Sequence, residues 1–341
     1  MNTITRNSKL KATILGLAYA DALGAGYEFF KGTIGEDESI DFFELPKITV
    51  HKKYEWTDDT AMTYLTLLAM KHENSMELNV DYELLSNLFI DWYKGAPDKG
   101  LHTYNVLSQT EESKKTNPTE TGLMAKVAKL ITEANPMTAG NGGLMRIAAG
   151  VFLLKNIGTV FEEQKVMKIA SDLNNLTHPH TDSERACRFY LFLLNAIIKE
   201  GDKQLNQGIR TRESFGDFVK HWLKELEANF GNTIVDAFTA DLKTYNPNRY
   251  VITTLCVALG AIYQSWDDGI SPKEHYINTI HKCIRVGDDT DTTSAVAGAM
   301  LGAIYGEECL PDDIFNIFGY AGENYLKVSY NDMVKTIEKL L

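Results

Sequence analysis

The 341-residue chain contains four cysteines, Cys187, Cys256, Cys283 and Cys309, spaced far apart and without a CxxC pair. That excludes a disulfide framework and a thiolate metal site, and leaves free buried thiols as the simpler expectation. Proline is scarce, at 8 residues, and no proline-rich or low-complexity tract marks a linker. No stretch approaches the roughly 18 uninterrupted apolar residues of a membrane span, so no membrane role is expected. Basic residues are outnumbered, 34 against 46 acidic, for a formal charge of −12. Surfaces built for a nucleic-acid backbone carry a basic surplus, so nucleic acid is not expected as the main target. A small anion or bound cations remain compatible with this balance.

The N-terminus imitates a secretory signal: Lys9 and Lys11 precede an apolar run at 12–18, and Ala18-Tyr19-Ala20 resembles a cleavage site. The run is short and Asp21 follows at once, so a retained N-terminus and a cytoplasmic protein are expected.

Helical periodicity fills most of the remainder. Met62, Leu65, Leu68 and Ala69 share one face of a helix predicted over 60–72. Similar patterns predict helices over 82–93, 122–134, 144–154, 166–176, 184–198, 215–230, 250–263, 275–286, 292–305, 312–325 and 331–341. The polar run 110–121 reads as a surface loop, and 47–54 is the best strand candidate. The spacing of Gly298, Gly302 and Gly306 suits close approach of a second helix. The expected fold is all-α, a single domain over 1–341.

Two acid-rich clusters carry the chemistry. Thr57-Asp58-Asp59 precedes one amphipathic helix, and Asp288-Asp289-Thr290-Asp291-Thr292 precedes another. Helix capping explains a single acid or threonine at such a place. Three carboxylates within four residues exceed that need and repel one another unless cations neutralise them. Carboxylates and hydroxyls without nearby Cys or paired His suit hard cations, Mg²⁺, Mn²⁺ or Ca²⁺. Asp58, Asp59, Asp289 and Asp291 together supply −4, which two divalent ions would cancel.

Three rivals can be tested on the letters. An EF-hand counted from Asp289 needs Gly and Glu where Ser294 and Met300 stand. The DxDxT pattern of haloacid-dehalogenase phosphatases fits residues 289–293, but only helical sequence follows where an α/β sheet is required. An all-α, Mg-dependent terpenoid synthase would carry DDxxD, whereas Asp58-Asp59 runs into Thr60-Ala61-Met62; it stays the alternative from another enzyme class.

The ordered motifs resemble the ADP-ribosylglycohydrolase family, whose bacterial prototype is the dinitrogenase reductase-activating glycohydrolase. They are Ala20-Asp21-Ala22-Leu23-Gly24-Ala25 with Glu28, Trp56-Thr57-Asp58-Asp59-Thr60, Asp98-Lys99-Gly100, Gly140-Asn141-Gly142-Gly143-Leu144-Met145-Arg146, Leu176-Thr177-His178, and the run from Gly287 to Thr293. The resemblance implies a helical fold with a binuclear Mg²⁺ or Mn²⁺ centre in a cleft. Thr57, Asp58, Asp59, Asp289, Asp291 and Thr292 match its ligand positions. Asp288 stands where the family usually has glycine and is not a ligand position.

Glu28, Asp98 and Asp59 are the implied catalytic acids, with Glu28 or Asp98 deprotonating the attacking water; Lys99 departs from the family's Asp-Ile-Gly motif. The glycine-rich loop also reads on its own as a phosphate cradle at a helix start. Gly100, Gly140, Asn141, Gly142, Gly143, Met145, Arg146 and His178 are the candidate substrate contacts, and Tyr104 and Tyr19 the candidate adenine anchors. The implied reaction releases ADP-ribose from a modified protein, with arginine linkage favoured over serine or O-acetyl-ADP-ribose. A monomer is expected, and an immunity protein that blocks an ADP-ribosylating toxin by binding is the non-catalytic alternative.

Overall fold

The computed structural model describes residues 4–30, 32, 34–42, 51–74, 77–135, 137–154, 162–200, 209–226, 230–322 and 326–341. Among these, the α-helices in chain order are α1 (Arg6–Gly24), α2 (Asp58–Leu68), α3 (Tyr82–Gly95), α4 (Leu101–Thr116), α5 (Leu123–Ala134), α6 (Glu162–Asn175) and α7 (Thr181–Glu200). They continue with α8 (Arg212–Glu225), α9 (Gly231–Asp236), α10 (Val251–Gln264), α11 (Pro272–Val286), α12 (Thr290–Tyr305) and α13 (Tyr330–Leu340). The strands among the described residues form two antiparallel hairpins, β1 (Met70–Asn74) with β2 (Glu77–Val80) and β3 (Phe318–Ala321) with β4 (Leu326–Ser329). The all-α expectation therefore holds.

α1 and α12 form the axis of the fold. Both are apolar around most of their circumference, and such helices are stable only when enclosed. Their contact depends on missing side chains. A Cβ on Gly298 would stand 2.4 Å from the Gly16 carbonyl oxygen, and one on Gly302 would stand 2.1 Å from that of Ala12. Gly306, the third of the stripe, instead ends α12 with φ of 62°. One apolar cluster runs from Leu10 to Leu340 around this axis. No helix among the described residues is long and apolar enough to cross a membrane.

Several expectations change. The helix over 60–72 stops at Leu68, where its apolar period gives way to Lys71-His72-Glu73-Asn74, and β1 turns back on β2. The polar run 110–121 is mostly the C-terminal half of α4, a solvated helix face. The buried segment Leu144–Leu154 is a 3-10 helix, long for that form. The helix over 312–325 is replaced by a short 3-10 turn and by β3, because Gly319 lets the Trp56 indole approach to 2.2 Å of a would-be Cβ. Phe318 then accepts from the Trp56 amide at 3.0 Å and donates to the Tyr54 carbonyl at 3.0 Å, which fixes the chain just before Thr57. Of the strand candidate 47–54, residues 47–50 lie outside the described residues, and 51–54 form no strand.

Candidate active site

The first acid-rich cluster is placed by a residue outside it. Asp21, in the last turn of α1, is fully buried. Its carboxylate accepts from the Thr57 amide at 3.0 Å, the Thr57 hydroxyl at 2.8 Å, the Thr60 amide at 3.0 Å and the Thr60 hydroxyl at 2.5 Å. It therefore caps α2 from another helix. Thr57, the N-cap residue itself, makes no side-chain capping bond, and neither does Asp289 at the start of α12. The helix-capping explanation of both clusters fails on these bonds: Asp58, Asp59, Asp289 and Asp291 leave the cap amides free of their side chains.

The two clusters meet. Thr57 Oγ1 lies 3.2 Å from Asp59 Oδ2 and 3.4 Å from Asp291 Oδ2, and Thr292 Oγ1 lies 3.4 Å from Asp59 Oδ2. Asp59 and Asp291 each keep one buried oxygen, Oδ1, without a hydrogen-bond partner. Oxygens of Asp21, Asp59 and Asp291 lie within 4.8 Å of one another, and so do oxygens of Glu28, Asp289 and Asp291. Asp291 belongs to both groups. Asp58 stands beside them, held by the Gly100 amide at 3.3 Å.

Burial, then mutual repulsion, raises the carboxyls of Asp58, Asp59 and Asp291 well above the ordinary range. Burial also lifts Asp21 to about 6, with its four donors opposing the rise. Glu28 reaches about 9 through burial and the charges of Asp98, Asp289, Asp58 and Asp21. An isolated buried carboxylate is costly, so such a group either holds protons or holds cations.

Asp98 lines a narrow pocket beside Asp58, with His51, Trp92 and Pro97. His51 Nε2 lies 3.8 Å from Asp98 Oδ2. Burial works against its protonation, but bonding and charge from Asp98, with Asp21 and Glu55 adding, raise it overall.

The glycine-rich loop closes the other side. Asn141 Nδ2 donates to Asp289 Oδ2 at 2.8 Å and to Thr254 Oγ1 at 3.0 Å. Gly140 pairs with Tyr250. A Cβ on Gly142 would stand 2.6 Å from the His178 ring, and one on Gly143 2.0 Å from Asn174 Oδ1. Arg146 donates to Thr177 Oγ1 at 2.8 Å, and the Thr177 hydroxyl shares a hydrogen bond of 2.8 Å with His178 Nδ1. His178 Nε2 lies beside Gly140 and Gly142. Burial, helped by His102 and Arg146, holds this ring well below its ordinary value, which favours the neutral imidazole.

Other expected contacts are placed differently. Arg146 is 1% exposed and spends its guanidinium on Gly142 O, Leu173 O and Thr177 Oγ1, under the loop it was expected to help charge. Met145 is buried beside it. Tyr19 is buried with its hydroxyl on Asp313 at 2.9 Å and presents no face to a ligand, whereas Tyr104 is exposed. Sequence reading passed over Asp21, although it lies inside a quoted motif, and Asn248. Asn248 is fully buried, accepts from the Asp289 amide at 3.1 Å and donates to Gly287 O at 3.1 Å. Nothing in its local sequence distinguishes it from an ordinary turn asparagine.

Residues 2–333 match the family model for ADP-ribosylglycohydrolase, and the chain belongs to that family of hydrolases. It is 24% identical over 316 residues to the ADP-ribosylarginine hydrolase Tri1 of Serratia proteamaculans, covering 89% of this chain and 73% of that protein. It is 25% identical over 291 residues to the ADP-ribosylhydrolase ARH3 of Gallus gallus, covering 75% and 71%. A solved structure described as an ADP-ribosylglycohydrolase-related protein complex aligns with a TM-score of 0.64 at 18% identity, covering 97% of this chain and 96% of that one.

Proposed function

We propose that this protein hydrolyses the bond between ADP-ribose and a modified arginine side chain, acting as a single-domain monomer in the cytoplasm with two divalent cations, Mg²⁺ or Mn²⁺. The observation that carries the metal reading is the pair of oxygen groups sharing Asp291, with the unpartnered Oδ1 atoms of Asp59 and Asp291 among them. Thr57, Asp58, Asp59, Asp289, Asp291 and Thr292 would hold the cations, and every donor is a hard oxygen. Bound there, the cations would neutralise the carboxylates and polarise ribose hydroxyls and water.

The chain's own groups account for the remaining steps. The backbone at 140–143 and His178 Nε2, protonated in the tautomer whose Nδ1 accepts from Thr177, receive pyrophosphate oxygens. Glu28, next to Asp289 and Asp291, takes a proton from water as the oxygen attacks C1″ of the distal ribose. The C1″–N bond breaks with its electron pair passing to the guanidine nitrogen, Glu28 returns to the leaving group the proton taken from water, and the products are ADP-ribose and unmodified arginine. The first named relative is an ADP-ribosylarginine hydrolase, and the acidic pocket of Asp58 and Asp98 suits a cationic leaving group.

The test incubates the protein with arginine-linked and serine-linked ADP-ribosyl proteins, with chelator, Mg²⁺ or Mn²⁺, and follows released ADP-ribose by chromatography. Release from the arginine substrate only with metal is expected. Equal release in chelator would remove the metal part, and release from the serine substrate alone would reassign the linkage.

A further inference from the structure

Residues 246–250, between the 3-10 turn Leu242–Tyr245 and α10, reach the second acid cluster, the glycine-rich loop and the turn after Glu28. Asn246 donates to Val286 O at 3.0 Å, Asn248 bonds Gly287 and Asp289, and Tyr250 pairs with Gly140. Arg249 has a different task. Its guanidinium grips Asp288 with two nitrogens, Nε at 3.1 Å, and lies 4.5 Å over the Phe29 ring. Phe29 and Asp288 are themselves joined, the Phe29 amide donating to the Asp288 carbonyl at 2.8 Å. Glu28 precedes Phe29 and Asp289 follows Asp288, so these contacts bracket the two acids.

We propose that Arg249 is a positioning residue that bolts the turn bearing Glu28 onto the loop bearing Asp289. The inference rests on the reading of Glu28 as the group that accepts a proton from water. Phe29 and Asp288 have φ of 55° and 63°, a region unfavourable to residues with side chains, so neither segment holds this shape on local preference. Arg249 supplies the missing constraint twice, through a bidentate ion pair and through cation–π contact. It also neutralises Asp288, whose charge would otherwise press on Asp289 and Glu28.

Arg249 is mostly exposed and lies outside the apolar core, although its partner Asp288 is largely buried. The bolt sets the position of one turn without supporting the core. Arg249→Ala therefore folds, and its effect is local.

The test compares the full-length protein with Arg249→Ala and Arg249→Lys, in saturating Mg²⁺. Hydrogen exchange is read at peptides spanning 25–30, with peptides of α2 as reference. Steady-state hydrolysis of an arginine-linked ADP-ribosyl protein and calorimetric binding of ADP-ribose run beside it. Arg249→Ala should speed exchange at 25–30 by roughly tenfold or more and leave α2 unchanged. Its kcat should fall about tenfold while KM and the ADP-ribose Kd stay within about twofold. Arg249→Lys, which keeps a cation over Phe29, should recover part of both losses.

Unchanged exchange at 25–30 in Arg249→Ala overturns the bolt. Faster exchange with unchanged kcat overturns its positioning of Glu28. If the wild-type protein releases no ADP-ribose, the proposed reaction fails, and the exchange measurement still decides whether the bolt exists.

Discussion

Asn141 and Asp289 are joined by a 2.8 Å hydrogen bond across 148 positions of sequence, which ties the glycine-rich loop to the second acid cluster. Asn141→Ala would leave Asp289 Oδ2 and the Thr254 hydroxyl without this donor. Loss of a buried bond to a charged group costs about 1–3 kcal/mol. Urea unfolding should show that loss, and ADP-ribose binding should weaken about tenfold, corresponding to roughly 1.4 kcal/mol. Unaltered binding would place the loop's orientation under other control.

The acid cluster makes opposite demands on stability and on activity. Asp59→Asn removes one of several crowded, buried charges, and should raise the stability of chelator-treated protein by about 0.5–2 kcal/mol while reducing hydrolysis by at least about a hundredfold. Thermal unfolding and single-time-point assays check both signs. A destabilised, active Asp59→Asn would refute the placement of this carboxylate in the site.

The pH dependence follows from Glu28, whose carboxyl lies at about 9 against an ordinary 4.5. A carboxyl raised on folding contributes stability below its unfolded value and loses that contribution as pH rises through the folded value. Asp58, Asp59 and Asp291 are raised by the same causes and act in the same direction. Between about pH 7 and 9 the metal-free protein should therefore lose thermal stability. Mg²⁺ or Mn²⁺ should flatten that slope and release protons on binding, visible by calorimetry in buffers of different ionisation enthalpy. A flat melting temperature in chelator over this range would contradict the buried charge cluster.

Gly302→Ala tests the axis. Its Cβ would meet the Ala12 carbonyl at 2.1 Å, and backbone cannot step aside as a side-chain tip can. Overpacking of this kind costs about 1–3 kcal/mol. Because α12 begins at the second acid cluster, divalent-cation binding should weaken as well. Alanine tolerated at full stability would mean that the helices can separate freely.

Much of this was legible in the sequence, for identifiable reasons. The amphipathic helices α3, α5 and α11 announce themselves by periodicity, and the two acid runs by local charge density. α1 was less readable because its apolar residues surround it, with no polar face to set a period. β3 escaped because its shape depends on an indole against Gly319, a contact between residues more than 250 positions apart. In the site, contiguous runs displayed the acids themselves, whereas their supports are scattered single residues. Asp21 and Asn248 act through bonds to distant backbone, and neither carries a local pattern. Asp288 is the converse: its departure from glycine was visible, and the left-handed backbone with Arg249 beside it supplies the reason.

The pairing of α1 with α12 also governs when the protein can acquire its chemistry. The carboxylates of Asp21 and Asp291 come from opposite ends of the sequence, and they meet only after Gly298 and Gly302 have seated against Gly16 and Ala12. A chain emerging from the ribosome carries its first acid run for most of its synthesis without the second. Contacts of such long sequence separation form late and slowly. Cation capture at the proposed site would then await the docking of α12, and a truncated product lacking α12 would lack Asp291 and Thr292.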